Sequence, residues 1–406
     1  MVLAAVRFPL PMAASRQAAD VVVIGGGCMG ASIAWHLARK GADVVLLERE
    51  HIGAGATGHS GALLRRHYEH PVGIRLANES LGVFESFARH TGRRARFVRV
   101  GFTTGAREKD VPALERLLAV QRKHGVAAKL VAVDELRALE PGMDVSDLAA
   151  GVYDERAGYA DPVATALGFA GAAADAGAEI REGVGVLELL AAKKRMVGVR
   201  TKAATVLADR VVVAAGNWTP GLLATVGVRV PVRFVRGEIA FLRRPPGVRA
   251  PRLHFDYYNN TYSRPEGTRD ALVGYMATDR RTARPRPVPF DATLRESTAK
   301  DLRARLAARF PAFRRSHLRG GYAGLYDVTP DRYPILGPVG PAGLFVAVGF
   351  SGHGFKLSPA VGRLMADAVF GTAKDPDLAA LAPSRFAERR PLKPAAPFPA
   401  HGQRLP

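Results

Sequence analysis

The chain has one cysteine, Cys28, in 406 residues. Neither a disulfide framework nor a cysteine-based metal site can be built from it. No apolar run approaches the ~20 residues that a bilayer-spanning helix needs. Acidic residues are scarce: 37 stand against 58 lysines and arginines, a net charge of +21. Such an excess raises nucleic acid or acidic membranes as partners. Yet no basic helix is interleaved with aromatics, and no nucleic-acid motif is present. Lysine is itself scarce beside arginine, and the arginines are scattered, with loose clusters at Arg93, Arg94 and Arg96 and at Arg280, Arg281 and Arg284. The charge therefore reads as a solvated surface, compatible with a field that attracts anionic ligands. His67 and His70 are close in sequence but lack a third ligand, so no metal site is expected. Residues 1–19 hold Arg7 and Arg16, no acid and no clear amphipathic helix, and residues 1–17 read as a disordered tail. The expected location is cytoplasmic.

What is present is a complete βαβ unit near the start. Asp20 to Ile24 is a β-branched run, the pattern of a buried parallel strand. Gly25, Gly27 and Gly30 follow at the spacing G-x-G-x-x-G. Ala31 to Lys40 has helical periodicity, Gly41 closes the helix, and a second apolar strand from Asp43 ends on Glu48. In this pattern the first glycine permits the tight turn. The second lets a pyrophosphate approach the backbone, and the third lets helix and strand pack closely. The helix N-terminus then offers unpaired N–H groups to phosphate. Glu48 can accept from ribose hydroxyls, and its charge opposes a 2′-phosphate. A dinucleotide site is expected here.

A glycine-rich loop, Gly53 to Gly61, leads into Ala62-Leu63-Leu64-Arg65-Arg66-His67-Tyr68. Such a loop lets backbone approach a ligand, which singles out Gly55, Thr57 and Ser60. Helices are expected at 73–90, 110–124 and 134–139, and an alanine-rich one after Asp161-Pro162. Arg210 to Ala215 is another buried strand entering a glycine turn at Gly216. Residues 230–276 alternate like antiparallel strands, and 279–290 form a proline- and arginine-rich loop. Leu344 to Val348 is a last buried strand, running into Gly349-Phe350-Ser351-Gly352-His353-Gly354-Phe355-Lys356. The fold class is α/β with two interleaved domains. Residues 18–90, 150–220 and 321–382 make the nucleotide-binding domain. Residues 91–149 and 221–320 make an α+β substrate domain on an antiparallel sheet, and 383–406 a flexible C-terminal tail.

These motifs, with Ala214-Ala215-Gly216-Asn217-Trp218 and Pro330 to Gly337, occur in the order and spacing of the D-amino-acid oxidase-like FAD oxidoreductases. The chain most resembles the branch of monomeric and β-subunit sarcosine oxidases and dimethylglycine dehydrogenases, from Asp20 to about Ala382. The resemblance implies a Rossmann-like FAD-binding domain, FAD as cofactor, and a small amino acid or N-methylated amino acid as substrate. It implies that Arg65 and Lys356 bind the substrate carboxylate and that Tyr326 and Tyr262 line the substrate site. It also implies that Gly352, His353, Gly354 and Phe355 form the turn approaching the flavin. From the residues alone, Arg65 and Arg66 are equally open as surface arginines, and His353 is open as a core histidine.

The covalent flavin cysteine of the monomeric sarcosine oxidase type falls on Gly324, so that link is excluded and FAD should be non-covalent. That type's oxygen-activating lysine falls on Leu272 and a neighbouring histidine on Met276. Oxygen and an electron-acceptor protein or partner subunit both stay open as oxidants. So does a flavin-binding subunit or assembly factor with little turnover of its own.

Overall fold

The computed structural model describes residues 17–276, 284, 291–372 and 375–399. Most of the expected tail at 1–17 and of the loop at 279–290 lies outside the described residues. Two large sheets organise the rest. The first has six strands in the order Ile335–Pro338, Leu344–Val348, Arg210–Val213, Val21–Ile24, Val44–Leu47, Glu179–Arg181. All pair in parallel except the edge strand Ile335–Pro338.

The unbroken apolar character of these strands has a cause on each face. Val21, Val23, Val44 and Leu46 pack into a core shared with the helices Cys28–Arg39, Pro162–Asp175 and Gly354–Phe370. Val22, Ile24, Val45 and Leu47 face Leu189, Met196 and Val199 of a small three-stranded sheet on the other side. A strand buried on both faces has no polar alternate positions. Asp161 starts the alanine-rich helix by accepting the Ala164 N–H at 2.9 Å, with Pro162 as its first residue. The expected helix over 73–90 is two helices, Pro71–Glu85 and Phe87–Thr91, broken at Ser86.

The second sheet has eight strands, ordered His317–Val328, Arg233–Arg243, Asp270–Tyr275, Thr261–Glu266, Leu253–Asp256, Phe102–Ala106, Ala150–Asp154, Lys129–Ala132. Its pairing is antiparallel apart from one parallel contact, Leu253 beside Phe102, which joins two distant chain segments. Position 150 opens a strand of the second sheet, and 321 lies inside another. The crossings into the nucleotide-binding layer come after Asp154 and Val328.

The excess arginine is not all surface. Arg66–Asp154, Arg309–Asp256 and Arg385–Asp331 are ion pairs with both partners buried. The tail also departs from expectation. Residues 383–399 pack on the molecule, with Arg385, Ala396 and Phe398 buried. No described helix is long and apolar enough to cross a membrane. Among the described residues, no group of three or more acidic, histidine or cysteine side chains could hold a metal.

Candidate active site

The parallel strands run out of the first sheet into four turns. These are Gly25–Gly27, Glu48, Ala214–Trp218 and Gly349–Gly354, and they open on one cavity of about 650 Å³. That is the carboxyl end of the sheet, where open α/β sheets bind ligands. Gly25 sits at φ +108°, and a Cβ there would lie 2.5 Å from the Ala214 carbonyl oxygen. At Gly27 an added Cβ would meet only the Thr57 hydroxyl, at 3.1 Å, so its backbone is open to the cavity. Gly30 does not line the cavity. It packs against the turn itself, its absent Cβ position being 1.9 Å from the Gly25 carbonyl oxygen.

Glu48 lines the cavity and accepts the Gly26 N–H at 2.6 Å and the Glu50 N–H at 2.8 Å, one on each oxygen. A carboxylate offers about four lone-pair sites, so two face outward. The Thr57 hydroxyl accepts the Cys28 N–H at 3.0 Å and so occupies one donor of the helix start. Ser60 accepts the Ala62 N–H. Gly55, Thr57, Ser60 and Gly216 all line the cavity.

The same cavity is lined by the expected pair Arg65 and Lys356. Leu63–Leu64 is a two-residue strand paired with Gly158 and Tyr159. The chain leaves it with Arg65 on the cavity and Arg66 on the opposite side. Arg66 donates to Asp154 at 3.1 Å through Nε and to Asn78 at 3.0 Å. Arg65 is 8% exposed, its guanidinium 4.6 Å from the centre of the Tyr68 ring and 4.5 Å from that of Phe255. It donates to the His67 carbonyl, and its Nε is buried without a partner. The two arginines thus do different work. Asp154→Asn strips the charge from a pair in which both side chains are 3% exposed. It is expected to cost about 3–5 kcal/mol, read as a lowered denaturation midpoint.

Lys356 lies in the first turn of the helix Gly354–Phe370 and is 6% exposed. That helix starts four residues earlier than expected, so the lysine is held by rigid backbone. Burial first, and then the Arg65 charge, push its ammonium well below the usual lysine range. No ion-pair partner faces it among the described residues. Tyr262 and Tyr326 also line the cavity, and their hydroxyls are hydrogen-bonded to one another. Glycines give both rings room. A Cβ at Gly274 would be 2.6 Å from the Tyr262 hydroxyl oxygen, and one at Gly237 would be 2.4 Å from the Tyr326 ring.

The late turn has left-handed backbone at Gly349, Ser351 and Gly352. Asp327 holds it, accepting the Gly349 N–H at 2.7 Å and, through its carbonyl, the Ser351 N–H at 2.8 Å. Burial raises the Asp327 carboxyl to about 6. His353 lines the cavity edge-on to Tyr68, with ring centres 5.4 Å apart. Burial and the nearby cations push it well below the usual histidine range, so it is neutral. Gly352, Gly354 and Phe355 line the cavity as well, although the Phe355 ring also packs on Phe84. Leu272 is fully buried within the second sheet and off the cavity, whereas Met276 lines it. Gly324 lines it too, and a Cβ there would be 3.0 Å from that of His59.

Comparison with known proteins places these features. Residues 20–368 match the family model described as FAD dependent oxidoreductase. The chain belongs to that family. It is 29% identical over 377 residues to the 4-methylaminobutanoate oxidase (formaldehyde-forming) of Paenarthrobacter nicotinovorans, covering 90% of this chain and 45% of that protein. It is 27% identical over 403 residues to human mitochondrial dimethylglycine dehydrogenase, covering 93% and 46%. The chain thus spans about half the length of these relatives. The crystal structure of glycine oxidase from Geobacillus kaustophilus superposes with a TM-score of 0.79 at 28% identity, covering 91% of this chain and 99% of that one. The family's cofactor is FAD, and the nucleotide-binding layer is its Rossmann-like fold.

The cavity fits that cofactor. It offers the open Gly27 backbone and the outward lone pairs of Glu48. Asn217 Oδ1 is buried and unpartnered, an acceptor awaiting a donor. Arg65 Nε, His67 Nε2 and the Tyr68 hydroxyl are likewise buried and unpartnered. Orphaned buried polar groups are costly unless a ligand or water satisfies them. Asp327, Glu69, Tyr68, Tyr257 and Tyr333 also line the cavity; Tyr333 falls in the Pro330 to Gly337 motif, Asp327, Glu69 and Tyr68 carry only proximity to noted stretches, and Tyr257 carries no sequence signal.

Proposed function

We propose that this chain oxidises the C–N bond of a small amino acid or N-methylated amino acid of the sarcosine, glycine or dimethylglycine kind, using non-covalent FAD. The observation that carries this reading is the buried pair Arg65 and Lys356, near enough for the Arg65 charge to depress the lysine, on the same cavity as the dinucleotide fingerprint. A carboxylate satisfies both cations, and charge-assisted contacts of this kind are strong and directional.

Arg65, Nε included, and Lys356 anchor the carboxylate and so fix the substrate's adjacent carbon. FAD, when bound, would supply the hydride acceptor for a carbon attached to the substrate nitrogen. The cations also disfavour a protonated amine, so no strong general base is required. Tyr262 and Tyr326 form one hydrogen-bonded wall of the site. Gly25, Gly27, Glu48, Gly55, Thr57, Ser60 and Gly216 hold the nucleotide, and Gly352–Phe355 the ring system.

Adding a panel of amines and amino acids under anaerobic conditions tests this. Bleaching of the flavin absorbance by a small amino acid supports it. Failure of every compound to bleach the flavin favours the assembly-factor reading.

The cofactor should be released on acid precipitation. Gly324 stands at the covalent attachment point, and a cysteine there would crowd His59. Flavin retained on the denatured chain would contradict this. Electrons are proposed to leave to an acceptor protein or partner subunit of a cytoplasmic system. Lys356 is the one lysine on the cavity among the described residues, and the clamp occupies it. A redox dye is therefore expected to reoxidise the reduced enzyme faster than air. Equal rates, with peroxide formed at the rate of dye reduction, would point to an oxidase.

A further inference from the structure

A part-buried carboxylate that feels a buried guanidinium should pair with it, and Glu69, near Arg65, does not. It lines the same cavity and feels the Arg65 charge, yet the structure holds no Arg65–Glu69 ion pair. Its carboxyl is pushed above the usual range by burial, so an ion pair with Arg65 would relieve it.

What holds Glu69 is the C-terminal segment. The Phe398 N–H donates to Glu69 Oε1 at 3.1 Å. The Ala395 and Ala396 N–H groups donate to the Glu69 carbonyl at 2.9 and 3.4 Å. Phe398 is 3% exposed and packs edge-on against Tyr257, with ring centres 5.1 Å apart, and against His67 at 6.3 Å. The segment is tied down upstream as well. The Leu392 N–H donates to Asp331 at 3.1 Å, and Asp331 pairs with buried Arg385 at 2.8 Å.

We infer that residues 392–399 form a strap that keeps the Glu69 carboxylate off Arg65, so that Arg65 and Lys356 stay free for the substrate carboxylate. Phe398 is a positioning residue acting through Glu69, Tyr257 and His67. Without the strap, Glu69 turns onto Arg65 and competes with substrate from within the chain. The inference rests on the carboxylate-clamp reading and adds to it a built-in competitor and the element that restrains it.

Acetate is the probe, titrated into the FAD-loaded full-length protein and followed by flavin absorbance. Phe398→Ala is expected to weaken acetate binding about tenfold or more. In a Glu69→Gln background, which lacks the charge for an ion pair with Arg65, the same substitution should change it less than about threefold. A purely structural role for Phe398 would weaken binding equally in both backgrounds, and that result overturns the strap. So does a Phe398→Ala affinity within about twofold of the unsubstituted protein. Phe398→Leu, which keeps an apolar side chain in place, serves as the second variant if Phe398→Ala does not fold. It is expected to show a smaller effect with the same dependence on Glu69, and an equal effect in both backgrounds again overturns the strap. If acetate leaves the flavin of the unsubstituted protein unperturbed, the clamp reading falls and takes this inference with it. Acetate binding without coupling between positions 69 and 398 refutes the strap alone.

Discussion

Arg65→Ala is expected to lower kcat/KM by roughly 30- to 5,000-fold, the equivalent of about 2–5 kcal/mol for removing one partner of a buried charge contact. The flavin content should hardly change. The Arg65 guanidinium packs on the Tyr68 and Phe255 rings and donates to the His67 carbonyl rather than to the fingerprint glycines. Lys356→Met should have an effect of similar size. The double variant should lose less than the sum of the two, because both side chains act on one group. Arg65→Lys should recover part of the loss, since an ammonium cannot reproduce a guanidinium's planar fork. Steady-state kinetics with the substrate found by flavin bleaching, alongside FAD-to-protein ratios, checks all four. Loss of FAD in step with activity would move Arg65 from substrate to cofactor binding.

Gly30→Ala is expected to give protein without FAD. Its Cβ would fall 1.9 Å from the carbonyl oxygen of Gly25, and both are backbone positions without freedom to retreat. The helix Cys28–Arg39 would have to move away from the strand Val21–Ile24. That shift displaces the helix N–H groups that phosphate would meet. Overpacking costs typically about 1–3 kcal/mol, and a clash with fixed backbone belongs at or above the top of that range. Flavin absorbance after purification and a thermal melt measure the two effects. Gly82→Ala is the control. A Cβ at Gly82 meets nothing within 4 Å, and the residue lies inside the helix Pro71–Glu85. That substitution should keep FAD and raise stability by about 0.5–1 kcal/mol.

The nucleotide half of the site was legible because its determinants are local. Gly25, Gly27, the helix start and Glu48 lie within one short βαβ unit, and backbone geometry dictates where glycine must stand. The other half was legible only through resemblance. Nothing in the Arg65-Arg66 pair says which side chain faces the cavity. The choice is made by Asp154, 88 residues away, which captures Arg66 in a buried ion pair. Leu272 shows the converse. A position that alignment brings to the oxygen site is turned into the core of the second sheet. Side-chain direction alternates along a strand, so a one-residue ambiguity in register reverses the conclusion.

The packing of residues 383–399 is illegible in the sequence for a related reason. Proline and arginine richness predicts a loose tail when each residue is scored alone. Here Arg385 finds Asp331, the Leu392 N–H finds the same carboxylate, and Phe398 finds Tyr257. None of these partners is near in sequence, so composition carried no trace of them. By itself, then, the sequence determined the parallel layer and the glycine turn at the start of its first helix. These follow from local steric rules and the burial of apolar runs. The tertiary structure alone decided which arginine faces the cavity, what steadies the late glycine turn and what the Glu69 carboxylate bonds to. Those depend on contacts between segments that only the folded chain brings within hydrogen-bonding distance.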